Sequence, residues 1–243
     1  MTDAILYDCQ DGLARITLNR PETRNALNSA MCEALLAATR RTREDGARCV
    51  LVQAVGSVFC AGADLKERQG MGDDAVRARR LKAFAAYEAV ERLSMPAIAV
   101  VEGPAVGSGV EIAAGCDFII ATPAASFRTP EALWGTVGAT QRLPRIIGKR
   151  LAKDLMFTGR ALCAEEARAA GLVARVVAPE ALAACIAEIT GTILKAPPAA
   201  MALAKRCVDE GLERDPRSAL ATEIMAIEES LTAAEWRKKM QDF

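Results

Sequence analysis

Leu13-Ala-Arg-Ile-Thr-Leu18 alternates apolar and polar side chains directly after an Asp11-Gly12 pair, which predicts a half-buried strand leaving a tight turn. Cys49–Val55 and Met95–Glu102 are continuous apolar runs of strand length and read as buried strands. Asn19 to Asn25 is a polar, proline-bearing loop. Ser29 can cap a helix running to about Glu44, whose Met31, Leu35 and Ala38 share one face. A small-residue loop, Gly56 to Asp64, follows the second strand, and Asp64-Leu-Lys-Glu67 has the form of a capping box, so a helix starts there. A charged segment, Gly70 to Arg80, leads into a helix ending near Leu93. A second small-residue loop, Gly103 to Gly109, opens into a helix over Val110–Cys116, and Asp117 to Ala121 is a short strand. From Lys149 the pattern is mostly helical, interrupted by Gly171 and a strand over Leu172–Val177. Pro197-Pro198 separates two late helices, and Glu223 to Phe243 reads as a charged amphipathic helix with no evident packing partner. Alternating strands and helices before about residue 145, then helices, predict an α/β core with a helical C-terminal appendage. The strand–small loop–helix unit occurs twice, at 49–67 and 95–116, as if the core repeats one motif.

Length allows one domain with a large core, since the chain has 243 residues and is 51% apolar. Lysine plus arginine and aspartate plus glutamate number 31 each, a balance that argues against a general nucleic-acid binder. No apolar run reaches membrane-spanning length, and Met1 to Tyr7 has neither the basic start nor the apolar stretch of a secretory signal. A cytoplasmic protein is therefore expected, and abundant alanine with only 4% aromatic residues suggests a bacterial source. Cysteines at 9, 32, 49, 60, 116, 163, 185 and 207 form no C-x-x-C pair, and no metal site is expected from them. They read as reduced, mostly buried thiols.

The chain contains no histidine. Proton transfer near neutral pH then falls to carboxylates, cysteines, lysines or tyrosines. Glu111, in Gly107-Ser-Gly-Val-Glu111, and Glu131, in Phe127-Arg-Thr-Pro-Glu131, each follow a glycine- or proline-marked turn and open a helix-like stretch. An acidic residue there also simply complements a helix dipole. Glu111, however, precedes Ile-Ala-Ala-Gly-Cys116, an apolar helix that should be buried, and a buried carboxylate is expensive without a partner or a task. Each small-residue loop runs from a strand into a helix and presents backbone N–H groups; two such loops can aim two donors at one oxygen, or can simply serve tight packing. A dinucleotide fingerprint lacks its third glycine, no Gly-Lys-Ser/Thr follows for a P-loop, and a Ser–His–Asp triad is impossible. Cys60 has no obvious base nearby.

These segments together resemble the enoyl-CoA hydratase/isomerase, or crotonase, family. Asn19-Arg-Pro-x-x-x-Asn25-Ala-Leu27 is similar to its early loop, and Phe59-Cys-Ala-Gly-Ala-Asp-Leu-Lys-Glu67 to its first CoA and oxyanion motif. Pro96 to Asp117 resembles the second motif, Ser126 to Arg142 the second glutamate segment, and Leu151 to Val177 continues the likeness over nearly the whole chain. The resemblance implies a crotonase-like spiral of repeated ββα units over 1–190 and a C-terminal helical oligomerisation region over 191–243, assembled as a homotrimer or a hexamer. It implies an acyl-CoA thioester as substrate and no separate cofactor. Backbone N–H groups of Ala63 and Ser108 would hold the thioester oxygen, and Ala61, Gly62, Ala63, Asp64 and Leu65 would line the CoA. Glu111 and Glu131 match the family's catalytic pair: the first acts as base on water, the second exchanges a proton with the substrate α-carbon. Having both favours reversible hydration of a 2-enoyl-CoA to a 3-hydroxyacyl-CoA, with an isomerase, a hydrolase or a catalytically weak acyl-CoA-binding paralogue as alternatives.

Three positions depart from the family pattern. Ser108 stands where glycine is frequent and adds a hydroxyl. Trp134 to Leu143 is shorter than the usual loop, which helps position the catalytic water. Phe243 matches a phenylalanine that reaches a neighbouring subunit's CoA, without the basic tail that usually follows.

Overall fold

The structure, a computed structural model, describes residues 3–233; Phe243 and the rest of the helix expected over Glu223 to Phe243 lie outside them. Strands β1 (Ile5–Gln10) and β2 (Leu13–Leu18) form an antiparallel hairpin. Asp11 and Gly12 both have positive φ, 51° and 82°, which suits the right-handed twist of a two-residue hairpin. Helix α1 (Ser29–Glu44) buries Met31, Leu35 and Ala38 as its spacing predicts. Its cap is Asn28 rather than Ser29: the Asn28 side chain accepts from the Met31 N–H, whereas Ser29 has already entered the helix.

Strand β3 (Cys49–Ala54) leads through the small-residue loop to the short helix α2 (Leu65–Arg68) and then to α3 (Asp73–Glu91). The charged stretch predicted to precede α3 is its first turns, with Asp73 and Asp74 at the positive end of the helix dipole. Only half of the capping box at Asp64 forms. The Asp64 carboxylate accepts from the N–H groups of Lys66 and Glu67, but Glu67 turns away to the Ser29 N–H (2.8 Å) and the Arg79 Nε (2.5 Å). A charged partner and an orphan donor at the start of α1 outcompete the local contact.

Strands β4 (Ala97–Val101) and β5 (Pro104–Val106) precede helix α4 (Ser108–Ala114), which begins two residues earlier than its apolar run suggests. Next come β6 (Phe118–Ala121), β7 (Ser126–Arg128) and a 3₁₀ turn over Glu131–Trp134. The chain continues through α5 (Arg142–Ile147), α6 (Lys149–Thr158), β8 (Leu162–Cys163), α7 (Ala164–Ala169) and β9 (Arg175–Val176). It ends in α8 (Pro179–Lys195), α9 (Pro198–Gly211) and α10 (Pro216–Ala233).

One sheet has the order β1-β2-β3-β4-β6-β9, parallel throughout except for the β1–β2 hairpin. A smaller sheet has the order β5-β7-β8. One face of the large sheet packs against α1, α3 and α4; the other is covered by Leu182 and Ile189 of α8, which runs on through residue 190. Burial on both faces explains why β3 and β4 are apolar without alternation.

The repeating unit is visible in these pairings. Three times the chain leaves the large sheet, passes through the second layer and turns into a helical segment. The first passage bridges at Cys60 to Ala105, the second is β5, and the third is β7, paired in parallel with β5. The segments that follow begin at Leu65, Ser108 and Glu131, so Ala63, Glu111 and Glu131 come from successive turns of one spiral stacked side by side.

The stacking depends on Gly109. A Cβ there would lie 2.6 Å from the Cys60 carbonyl oxygen and 2.9 Å from the Cys60 Cβ. Gly109→Ala is therefore expected to lose about 1–3 kcal/mol, the usual penalty for overpacking, read as a lower denaturant midpoint; an unchanged midpoint would show that the two turns separate freely.

Candidate active site

Ala63 owes its free amide to its neighbours. The Leu27 N–H donates to the Gly62 carbonyl (2.8 Å) and the Asp64 N–H donates to the Leu27 carbonyl (2.9 Å). In a parallel bridge this pairing points the intervening Ala63 N–H the other way, towards the cavity. Ser108 is the first residue of α4, where an N–H has no partner within the helix. Among the described residues neither amide donates to a backbone carbonyl.

Glu111 lies in the first turn of α4 and is buried, at 5% exposure. Its Oε2 accepts from Arg142 Nη1 at 2.7 Å. Arg142, at the start of α5, also donates to Glu91 Oε2 through Nε (3.0 Å) and Nη2 (2.5 Å). One guanidinium thus joins α3, α4 and α5; among the described residues Glu111 Oε1 has no ion-pair partner.

Glu131 opens the 3₁₀ turn after β7, and its environment is the opposite one. Its Oε2 is buried without a hydrogen-bond partner among the described residues. Burial raises its pKa, the negative charge of Glu111 adds to the rise, and Arg80 partly opposes it. Two glycines wall it in. A Cβ on Gly107 would lie 2.4 Å from Glu131 Oε1, and one on Gly138 would lie 2.9 Å from its Cγ. Gly138 belongs to the shortened loop, which therefore packs directly on this carboxylate.

One cavity of about 80 Å³ is lined by Ala61, Gly62, Ala63, Ser108, Glu111 and Glu131, with Leu65 also in its wall. Asp64 does not line it; its carboxylate caps α2 and pairs with Arg20 at 3.1 Å. The Ser108 hydroxyl accepts from the Tyr87 hydroxyl at 2.7 Å, so the group that departs from the family pattern is tied back to α3. Cys60 is buried, and burial pushes its thiol up to about 12, far from a nucleophile's range. Sequence reading missed Arg142 and Tyr87. A buried carboxylate signals that some cation is near, but nothing along the chain says which. Tyr87 reads only as part of the core face of α3.

The model of the enoyl-CoA hydratase/isomerase family matches residues 8–243. The chain belongs to that family. It is 34% identical to the short-chain-enoyl-CoA hydratase of Clostridium acetobutylicum over 244 residues, 98% of this chain and 94% of that protein. The crystal structure of an enoyl-CoA hydratase from Bacillus anthracis superposes with a TM-score of 0.94 at 36% identity, covering 98% of this chain and 95% of the other. That of the Thermoplasma volcanium enoyl-CoA hydratase gives 0.92 at 26% identity, covering 100% and 98%. The spiral and the C-terminal helices are thus those of the crotonase fold.

Proposed function

We propose that the protein reversibly hydrates a 2-enoyl-CoA to a 3-hydroxyacyl-CoA. The observation that carries this reading is two carboxylates in unlike surroundings, facing one cavity that two unpaired amides also reach. A carboxylate paired with a guanidinium and a buried carboxyl without a hydrogen-bond partner are suited to different roles, base and acid. Glu111, ion-paired with Arg142, takes a proton from water as the water oxygen bonds to C3. The C2–C3 double bond becomes a single bond, and Glu131, favoured in its protonated form by burial, delivers its proton to C2. Negative charge passing through the thioester oxygen is met by the N–H groups of Ala63 and Ser108. Ala61 to Leu65 line the CoA, as the resemblance implies, with Asp64 serving from behind by fixing the start of α2. Exchange with solvent resets both carboxyls, and no metal or redox cofactor enters the scheme.

An isomerase reading needs only Glu131, which would move a proton between C2 and C4. The Arg142 grip on Glu111 is what favours it. Product analysis separates the two: Glu111→Gln abolishes hydration of crotonyl-CoA but spares conversion of a 3-enoyl-CoA if the protein is an isomerase. Absence of hydration on crotonyl-CoA and longer 2-enoyl-CoAs sinks the hydratase reading. The Glu131 shift also fixes a pH dependence. Hydration uses its protonated form, so kcat/KM is expected to fall as pH rises through a pKa above the ordinary carboxylate range. A profile whose descending limb persists in Glu131→Gln would assign that limb elsewhere.

The trimeric or hexameric assembly is part of the same proposal. It is supported by Leu220, Ile224, Met225, Ile227 and Leu231 of α10, which the single chain leaves exposed. Among the described residues no helix is long and apolar enough to cross a membrane.

A further inference from the structure

We propose that the acyl group taken by this site is a short chain ending in a carboxylate, which Arg80 and Arg68 recognise. The inference deepens the acyl-CoA reading above and rests on it for the thioester.

Three arginines, Arg68, Arg79 and Arg80, stand in the cavity wall. Arg79 is already committed: it is buried, its Nε meets Glu67 Oε2 at 2.5 Å, and its Nη2 donates to the Leu27 carbonyl. Neither of the other two has an ion-pair partner among the described residues. Arg80 makes one hydrogen bond, to the Val137 carbonyl, and Arg68 makes none. Burial, followed by the charges of Arg79 and Arg80, lowers the pKa of Arg68, which is what crowded, uncompensated cations do. The cavity's own acids do not balance them. Glu111 is taken by Arg142, and burial favours the neutral form of Glu131. The cavity wall therefore carries surplus positive charge.

Position decides which part of an acyl-CoA would meet that charge. In the proposed site the thioester oxygen lies between the Ala63 and Ser108 amides, with the CoA along Ala61 to Leu65. Arg80 grips the loop at Val137, whose neighbour Gly138 packs on Glu131, and its charge acts on Glu131 itself. It thus lies with the carboxylate that serves the substrate carbons. Phe84, Trp134 and Val137 supply apolar wall beside it. A small apolar slot with guanidinium groups in its wall complements a chain of a few carbons ending in an anion. The substrate class is the monothioester of a 2-enedioic acid with CoA. Guanidinium groups would equally hold the phosphates of CoA, so the test separates these two sources of negative charge.

Binding of glutaryl-CoA, butyryl-CoA and free CoA to the full chain is measured by calorimetry for wild type, Arg80→Met, Arg80→Lys and Arg68→Met. Both thioesters are saturated, so the result does not depend on turnover. The wild type is expected to bind glutaryl-CoA roughly ten- to hundredfold more tightly than butyryl-CoA, the ratio a charge-assisted contact supports. That ratio should collapse towards one in Arg80→Met, shrink in Arg68→Met and partly survive in Arg80→Lys. A wild-type ratio near one overturns the proposal. So does an equal loss of affinity for all three ligands in the methionine variants, which would assign both arginines to the CoA phosphates. A preference for glutaryl-CoA without hydration of any 2-enoyl-CoA sinks the hydratase reading alone; hydration without the preference sinks this one alone.

Discussion

Glutamine in place of Glu131 is expected to lower kcat for crotonyl-CoA hydration by roughly 10²–10⁴-fold, the usual worth of one positioned proton-transfer group. An amide has the size of the carboxyl but holds no transferable acid proton, so KM should move much less than kcat. The fold should tolerate the change, because the amide resembles the neutral acid that burial already favours. Stability gives an independent check with a definite sign. A carboxyl whose pKa is higher in the folded than in the unfolded chain binds more protons when folded. Wild-type stability from this group is then fully present below the unfolded pKa and is lost as pH rises through the raised folded value. Glu131→Gln lacks that loss, so its stability relative to wild type should increase with pH across the window. Denaturant midpoints at several pH values measure it. Equal pH slopes for the two proteins would mean that folding does not raise the Glu131 pKa, and the argument that burial suits Glu131 to donate a proton would fall with it.

Most of the large sheet was legible along the chain, because burial on both faces leaves apolar runs that no surface strand carries. β3 and β4 appear within a residue or two of their expected limits. β5, β7 and β8 were not legible: each has two or three residues, too few to show a period, and their pairing depends on stacked turns far apart in sequence. The residues at 70–80 were misread for a related reason. Their charges mark a solvated helix face, which carries little apolar periodicity. In the site, Glu111 and Glu131 stood out because histidine is missing and because one of them preceded an apolar helix. Ala63 and Ser108 could be assigned only through the family motifs, since a free N–H is a property of the neighbours' hydrogen bonds. The shortened loop looked like a gap in the site; in the structure Gly138 brings it against Glu131, where a side chain would not fit.

Arg142→Met is expected to destabilise the protein by about 3–5 kcal/mol, the range for removing one partner of a buried ion pair. The reason is the charge left behind. Glu111 is 5% exposed, and without the guanidinium it must either stay ionised in an apolar setting or bind a proton and cease to be a base. Glu91 loses the same partner at much lower cost, because it is half exposed and water can take over. The double variant Glu111→Gln/Arg142→Met separates these contributions. Glutamine removes the stranded charge, so the double variant should recover much of the lost stability, and the coupling between the two sites should be large. Activity should not return, because the base on water is gone in both proteins. Arg142→Lys should fall between: an ammonium keeps the charge but not the fork that spans Glu111 and Glu91. Denaturant unfolding of the four proteins measures the cycle. Additive losses, with the double variant less stable than either single one, would show that Arg142 holds α3 and α5 together through Glu91 and packing, and that Glu111 needs no cation to remain a carboxylate.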